Sequence, residues 1–434
     1  MQQEQLSAYW MPFTANRQFK QAPRLIAKAQ GMHYYDSQDR PILDGTAGLW
    51  CCNAGHNRTA IVEAIQQQAA TLDYAPSFQM GHLGAFEAAQ ALVSIAPEGL
   101  TRAFFANSGS EAVDSALKIA LAYQRAKGEP SRTRLIGREL GYHGVGFGGI
   151  SVGGLVNNRR GFGHGLSGVD HLSHNKGHAG RFVKGQASEG AERADDLLAQ
   201  IQLHGAENIA AVIVEPVQGS AGVIVPPQGY LQRLRQICDE HGIVLIFDEV
   251  ITGFGRIGAP FAAQRFGVTP DMITCAKGLT SGTVPMGAVL VNDAIHDTLV
   301  QGPEGQIELF HGYTYSGHPL AAAAAKASLA LYQDEALFDH AREMEGYWQE
   351  ALHSLRDLDS GIVDIRNFGL MGAVEFAPEG GRRAYAVFEH AFHKEDLLLR
   401  ASGDFLVMSP PLILQRSDVD AIIERLSRAI HAQR

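Results

Sequence analysis

Short apolar runs alternate with helix-spaced stretches through the middle of the chain. Ile209-Ala210-Ala211-Val212-Ile213-Val214 and Ile243-Val244-Leu245-Ile246-Phe247 hold no polar side chain, and Met272-Ile273-Thr274-Cys275-Ala276 nearly matches them. Runs this short and this continuous read as strands covered on both faces. Ala103 to Phe105, Arg134 to Gly137 and Val284 to Val291 read as further strands. Between them, Val113, Ala116, Leu117 and Ala120 recur at helical spacing, residues 190 to 204 form an amphipathic pattern, and Leu320 to Leu331 is alanine-rich. Strand and helix therefore alternate from about 100 to 290, which predicts an α/β fold with a mostly parallel sheet and helices on both faces. Ahead of it, Met32 to Tyr35 and Pro41 to Leu43 flank Asp39-Arg40 as a hairpin. Beyond about 335, Ile362 to Arg366, Ala373 to Phe376 and Leu397 to Arg400 read as strands of a small α+β domain. The expected division is an N-terminal segment 1–50 packing with the small domain, a large domain 51–330 and the small domain 331–434.

Composition narrows the classes. Over 434 residues, 36 basic and 46 acidic side chains leave a net charge of −10 without long like-charge runs, which argues against a nucleic-acid surface. Met1 to Gln5 has no basic and apolar leader pattern, and no apolar run reaches the ~18 residues of a membrane span, so a cytoplasmic protein is expected. Cys51 and Cys52 are adjacent while Cys238 and Cys275 stand alone, without zinc or disulfide spacing, and all four read as packing residues. His171, His174 and His178 have metal-like spacing but no acidic or thiol companion, and Asn175 and Gly177 place them in a loop; no metal is expected.

The candidate chemistry lies at the strand ends. Asp248 and Lys277 each follow an apolar run, where open α/β sheets bind ligands. Each alone has an ordinary reading, a helix cap or a solvated loop lysine. Together they offer one crevice an acid and an amine, the pairing that pyridoxal 5'-phosphate chemistry requires: a lysine to hold the cofactor and a carboxylate to keep its ring nitrogen protonated. Ser108-Gly109-Ser110-Glu111 fits a capping box at a helix start, and small Gly109 and Ser110 would leave N–H groups open to a phosphate. Tyr142, between Gly141 and His143-Gly144, suits stacking on a planar ring, whereas His143 reads as a hydrogen-bonded structural residue. Glu215 closes another buried run, and Gly144 to Gly165 reads as loop near the site. Trp50, beside a glycine turn, is the aromatic expected in the pocket. Arg400 could bind a carboxylate through two hydrogen bonds or pair with a surface acid. Gly253-Phe254-Gly255-Arg256-Ile257-Gly258 satisfies G-x-G-x-x-G, but Asp248 to Thr252 separate it from the strand end and Pro260 follows, so a dinucleotide site is discounted.

With these residues placed, the chain resembles the class III pyridoxal-phosphate-dependent aminotransferases from Trp10 to about Leu426. The likeness rests on Asp248-Glu249-Val250-Ile251-Thr252-Gly253-Phe254-Gly255-Arg256 with Lys277, on Ser108 to Glu111 and on Gly141 to Gly144. Trp10 to Arg17, Gly48-Leu49-Trp50, His311 to Ser316 and Asp364 to Leu370 make it most similar to the ω-amino acid:pyruvate (β-alanine:pyruvate) group. The resemblance implies fold type I and an amino-group transfer from an ω-amino acid or amine to pyruvate. It implies that Lys277 carries the cofactor and moves the proton at the reacting carbon, and that Asp248 pairs with the ring nitrogen. Tyr142 would stack on the ring, Gly109 and Ser110 would bind the phosphate, and Glu215 and Val250 would complete the cofactor contacts. Thr314 would reach the phosphate of the neighbouring subunit in a homodimer or homotetramer, Trp50 would wall the pocket, and Arg400 would bind the substrate carboxylate. Cys51-Cys52 and Gln218 depart from the pattern of relatives. The same fold also supports aminomutase, epimerase and decarboxylase reactions, so these stand as alternatives.

Overall fold

The structure, a computed structural model, describes residues 6–177, 180–359 and 361–433. Met1 to Gln5 and His178 lie outside the described residues. Three N-terminal strands, β1 (Lys28–Gln30), β2 (His33–Tyr35) and β3 (Pro41–Asp44), form an antiparallel meander. The hairpin is as expected from the alternation; β1 is an additional strand too short to show a period.

The main sheet contains β4 (Leu100–Ala106), β5 (Arg134–Arg138), β6 (Val169–Leu172), β7 (Ile209–Val214), β8 (Val244–Asp248), β9 (Met272–Cys275) and β10 (Gly287–Asn292), in the order β4-β10-β9-β8-β7-β5-β6. Pairing is parallel from β9 through β6, and only β10 runs antiparallel, to both β9 and β4. Its strands need no polar face because both faces are packed. Val244 and Ile246 join one apolar cluster with Val113, Ala116 and Ala120 of the helix Gly109–Ala126, while Leu245 and Phe247 join the larger cluster on the opposite side. This alternation within β8 is the physical meaning of the unbroken apolar run.

Two local expectations change. The glycine-rich stretch after Gly144 is not all loop: Phe147–Val152 and Val156–Arg159 are short helices, with Gly149 so close to the His143 carbonyl that a Cβ would lie 2.1 Å from it. The glycines serve backbone approach rather than disorder. His171 lies in edge strand β6 and not in a loop, with its Nε2 3.0 Å from the Gly153 carbonyl; the short run Val169–Leu172 is recognisable as a strand only by its pairing with β5.

The C-terminal part adds β11 (Ile362–Phe368), β12 (Met371–Phe376), β13 (Leu397–Leu398), β14 (Arg400–Ser402) and β15 (Phe405–Met408). Here β11-β12-β15-β14 form one antiparallel sheet, but β13 leaves it and pairs parallel with β3. Leu397 to Arg400 is thus not one strand ending in arginine. The chain crosses between two sheets at Leu399, and Arg400 opens β14, paired with Val407.

Candidate active site

Three neighbouring parallel strands deliver the site. β8 ends in Asp248, β7 runs into Glu215, and β5 leads to Tyr142 and His143. Lys277 follows β9, on the other side of β8. These residues line one cavity of about 140 Å³ with Gly109, Ser110, Gly144, Val250 and Ile251. Adjacent strand ends in a parallel sheet point the same way, so residues more than a hundred positions apart meet there.

Asp248 is buried, and its two carboxylate oxygens have separate partners. Oδ2 lies 2.7 Å from His143 Nδ1, and Oδ1 accepts the Val250 N–H at 3.1 Å. His143 is therefore hydrogen-bonded as expected, but its partner is the site carboxylate itself. Its Nε2 is buried and without a partner among the described residues. The adjacent Glu249 turns away: it accepts the N–H groups of Ala262 and Ala263 and the Thr252 hydroxyl, so it caps the short helix Ala262–Phe266. Burial lifts Glu249 to about 7. Asp248 closes the strand and Glu249 is the first residue beyond it, and the two consecutive acids serve different partners.

Glu215 ties two loops together, accepting the Tyr142 N–H at 2.8 Å and the Gly219 N–H at 3.1 Å. Burial first, and Asp248 also, raise it to about 7, against the pull of His143. Lys277 stands at φ 46° in the left-handed region, unusual for a side-chain-bearing residue, in a turn closed by Gly282 N–H to the Lys277 carbonyl at 3.1 Å. Its amine makes no hydrogen bond or ion pair among the described residues. Burial brings it down to about 8, while Cys51, Asp248 and Glu215 hold it up and Arg400 adds to the fall.

At the helix start, Ser108 Oγ accepts the Glu111 N–H at 3.2 Å, and Glu111 reaches back to the Asn107 N–H at 2.7 Å. The N–H groups of Gly109 and Ser110 have no acceptor within the helix, as in any first turn. Ser110 Oγ accepts the Val145 N–H at 3.0 Å. A Cβ on Gly109 would lie 2.8 Å from Val250 Cγ1, and one on Gly144 2.4 Å from Ser110 Oγ. Only glycine at both places keeps this concave, donor-lined end open.

Arg400 does not line this cavity but is near enough for its charge to act on Tyr142 and Lys277; it is partly buried, with no hydrogen bond or ion pair among the described residues. Burial lowers its guanidinium below the ordinary value. Trp50 does not line this cavity. It is 3 % exposed and belongs to the main apolar core, because the turn before it, with Gly48 at φ 66° and Trp50 at φ 64°, carries the ring inward. Thr314 is exposed on a loop outside its own cavity, its carbonyl accepting the Tyr74 hydroxyl at 3.0 Å. Ile251 is a lining residue that the sequence reading passed over, its signal being only its place next to Val250. Gly253 to Gly258 forms turns, and the short helix Ala262–Phe266 begins only after Pro260 and Phe261, so the glycine run does not itself open a helix as a dinucleotide fingerprint would.

An acid, an amine and an open helix N-terminus around one cavity make the comparison with known proteins direct. The family model "Aminotransferase class-III" matches residues 14–430. The chain is 58 % identical over 429 residues to an omega-aminotransferase of Caulobacter vibrioides, covering 98 % of this chain and 97 % of the relative. It is 46 % identical over 431 residues to a beta-alanine–pyruvate aminotransferase of Pseudomonas aeruginosa, covering 98 % and 96 %. Among solved structures, a PLP-bound amine transaminase from an uncultivated Pseudomonas species superposes with a TM-score of 0.91 at 35 % identity, covering 98 % of this chain and 99 % of that one. Matched from end to end in sequence and fold, this chain belongs to the class III aminotransferases, enzymes that depend on pyridoxal 5'-phosphate.

Proposed function

We propose that this aminotransferase moves an amino group from an ω-amino acid or amine, with β-alanine foremost, to pyruvate, giving L-alanine and an aldehyde or keto product. The observation that carries the reading is the convergence of Lys277 and Asp248 on one cavity beside an open helix N-terminus, with Arg400, unpaired among the described residues, near enough for its charge to act on Lys277. One of the relatives is a beta-alanine–pyruvate aminotransferase, which supports the substrate pair.

The residues present fit the cofactor. It carries an aldehyde, a phosphate, a ring nitrogen and a flat face, and the cavity offers respectively an unpartnered amine, open N–H groups shaped by two obligatory glycines, a fixed carboxylate and the Tyr142 ring. When bound, the cofactor supplies an electron sink for the carbon next to the transferred nitrogen. Lys277, lowered to about 8, is neutral in a useful fraction near neutral pH and serves first as nucleophile, then as the base that moves the proton at the reacting carbon. Asp248, held by His143 and the Val250 N–H, favours the protonated ring nitrogen. Tyr142 would stack on the ring with Val250 among its contacts, Gly109 and Ser110 would hold the phosphate, and Glu215 sets the Tyr142 loop. Arg400 binds the carboxylate of pyruvate and of its amino-acid product, since a partly buried guanidinium without a partner favours a bidentate anion.

In this reading the active form is a homodimer or homotetramer in which Thr314 of each subunit serves the neighbouring phosphate site, in keeping with its exposure away from its own cavity. Residues 51–330 form the cofactor-binding unit, with 1–50 and 331–434 closing over it. We place the enzyme in the cytoplasm, where the four free cysteines would stay reduced.

The test is a spectral titration of the purified holoenzyme with β-alanine in the absence of keto acid, followed by pyruvate. Loss of the visible band of lysine-bound cofactor with β-alanine, and its return with pyruvate, is expected. A band that β-alanine leaves unchanged removes β-alanine as donor, and turnover retained in Lys277→Ala removes the assignment of Lys277.

A further inference from the structure

The adjacent cysteines Cys51 and Cys52 are not simple packing residues. Their sulfurs lie 3.8 Å apart and share a hydrogen bond, both are partly exposed, and the other two cysteines, Cys238 and Cys275, are buried. Both backbone N–H groups of the pair are anchored on the Ala47 carbonyl, at 2.9 and 3.0 Å, so the two side chains leave a fixed stretch of chain. Glycines flank the sulfurs. A Cβ on Gly282 would lie 3.0 Å from Cys51 Sγ and 3.2 Å from Cys52 Sγ, and one on Gly48 3.5 and 3.4 Å from them. Gly282 closes the turn that carries Lys277. The pair is therefore a preformed dithiol resting on the segment that carries the site lysine.

From this geometry we propose that Cys51 and Cys52 form a bidentate site for thiophilic centres with two open valences, of which monosubstituted trivalent arsenicals are the chemical class. With an arsenic(III) oxide of the type R–As=O, two As–S bonds form and the arsenic–oxygen bond breaks. The oxygen leaves as water with two protons, from the thiols or, where one is already ionised, partly from solvent. Arsenic stays trivalent, so no oxidant or reductant is needed. A single bridging atom suits this spacing better than a direct disulfide, which would draw the sulfurs to about 2.05 Å across neighbouring residues whose Cα atoms are closer than the usual 4.4–6.8 Å. Charge favours the same reaction. The hydrogen bond between the two sulfurs above all, with Lys277 helping, draws Cys51 down, while Cys52 is pushed up by that same bond and by burial, so the pair gives up its first proton more readily than a lone buried thiol.

The experiment treats the holoenzyme with phenylarsine oxide and reads intact mass and the mapped peptide. One phenylarsenic unit per chain is expected on the segment holding Cys51 and Cys52, removed by 2,3-dimercaptopropanol and not by the same thiol concentration of 2-mercaptoethanol. Cys51→Ser and Cys52→Ser are each expected to bring the stable adduct from one per chain to none. No adduct on the wild-type protein, an adduct mapped to Cys238 or Cys275, or one that a monothiol removes as readily, would overturn the proposal. Peptide mapping and the dithiol comparison need no variant, so a poorly folding substitution does not obscure the result. Transaminase activity is not the readout, and the outcome is independent of the substrate assigned above.

Discussion

Asp248 and Glu249 are consecutive acids, and replacing each by its amide separates chemistry from folding. In Asp248→Asn the amide oxygen can still accept the Val250 N–H, and the amide nitrogen can donate to His143 Nδ1 if the ring proton moves to the unpartnered Nε2. The stability loss is then that of exchanging a charge-assisted bond for a neutral one, about 1 kcal/mol. On the proposed reading, what disappears is the charge that would face the ring nitrogen. An opposite charge at about 4–6 Å shifts a pKa by about 1–3 units. At 1.36 kcal/mol per unit this is about 1.4–4 kcal/mol, so the half-reaction with donor should slow by about 10–1000-fold. Glu249→Gln should do the reverse. Its carboxylate accepts two backbone N–H groups and a hydroxyl, all buried, and an amide nitrogen there would oppose a donor, at about 1–3 kcal/mol of stability. Single-turnover absorbance with donor and no keto acid, beside thermal unfolding of the same samples, measures both. Equal kinetic losses in the two variants, or a near-wild-type half-reaction in Asp248→Asn, would refute the division of labour.

Gly109→Ala places a methyl group 2.8 Å from Val250 Cγ1 and should weaken cofactor retention, read by dialysis and cofactor fluorescence, with little change in unfolding temperature; unchanged retention would remove this helix end from phosphate binding. Arg400→Ala should raise KM for pyruvate far more than for a simple amine donor, because only the keto acid brings a carboxylate; equal effects would dismiss the role. The rate of cofactor capture by the cofactor-free protein should climb with pH and level off above about 8, since the attacking Lys277 amine must be neutral. The folded value lies below the ordinary 10.5, so between about 8 and 10.5 the unfolded chain binds the extra proton and the stability of the cofactor-free protein rises with pH. Lys277→Met should flatten that rise, and urea titrations across this range would show it.

The alternation of buried apolar runs with helix-spaced stretches was enough to identify the α/β class, β7, β8 and β9, the helix after Ser108, and the acid and amine at neighbouring strand ends. Periodicity and capping are local properties, written in residues a few positions apart. Other features depended on contacts between distant segments. Leu397 to Arg400 reads as one apolar strand, yet its halves join different sheets, and only the approach of β3 to β13 shows where Arg400 emerges. Trp50 beside a glycine turn is equally consistent with a pocket or a core, and two left-handed residues turn it into the core. His143 and Asp248 are 105 positions apart, and the strand order β8-β7-β5 brings them within 2.7 Å. Cys51 and Cys52 announce their adjacency in the sequence, but their seat on the Lys277 turn exists only after residues 48 and 282 have packed around them. Local chemistry could name the groups of this site; their partners, burial and protonation arise from segments that meet only when the chain is folded.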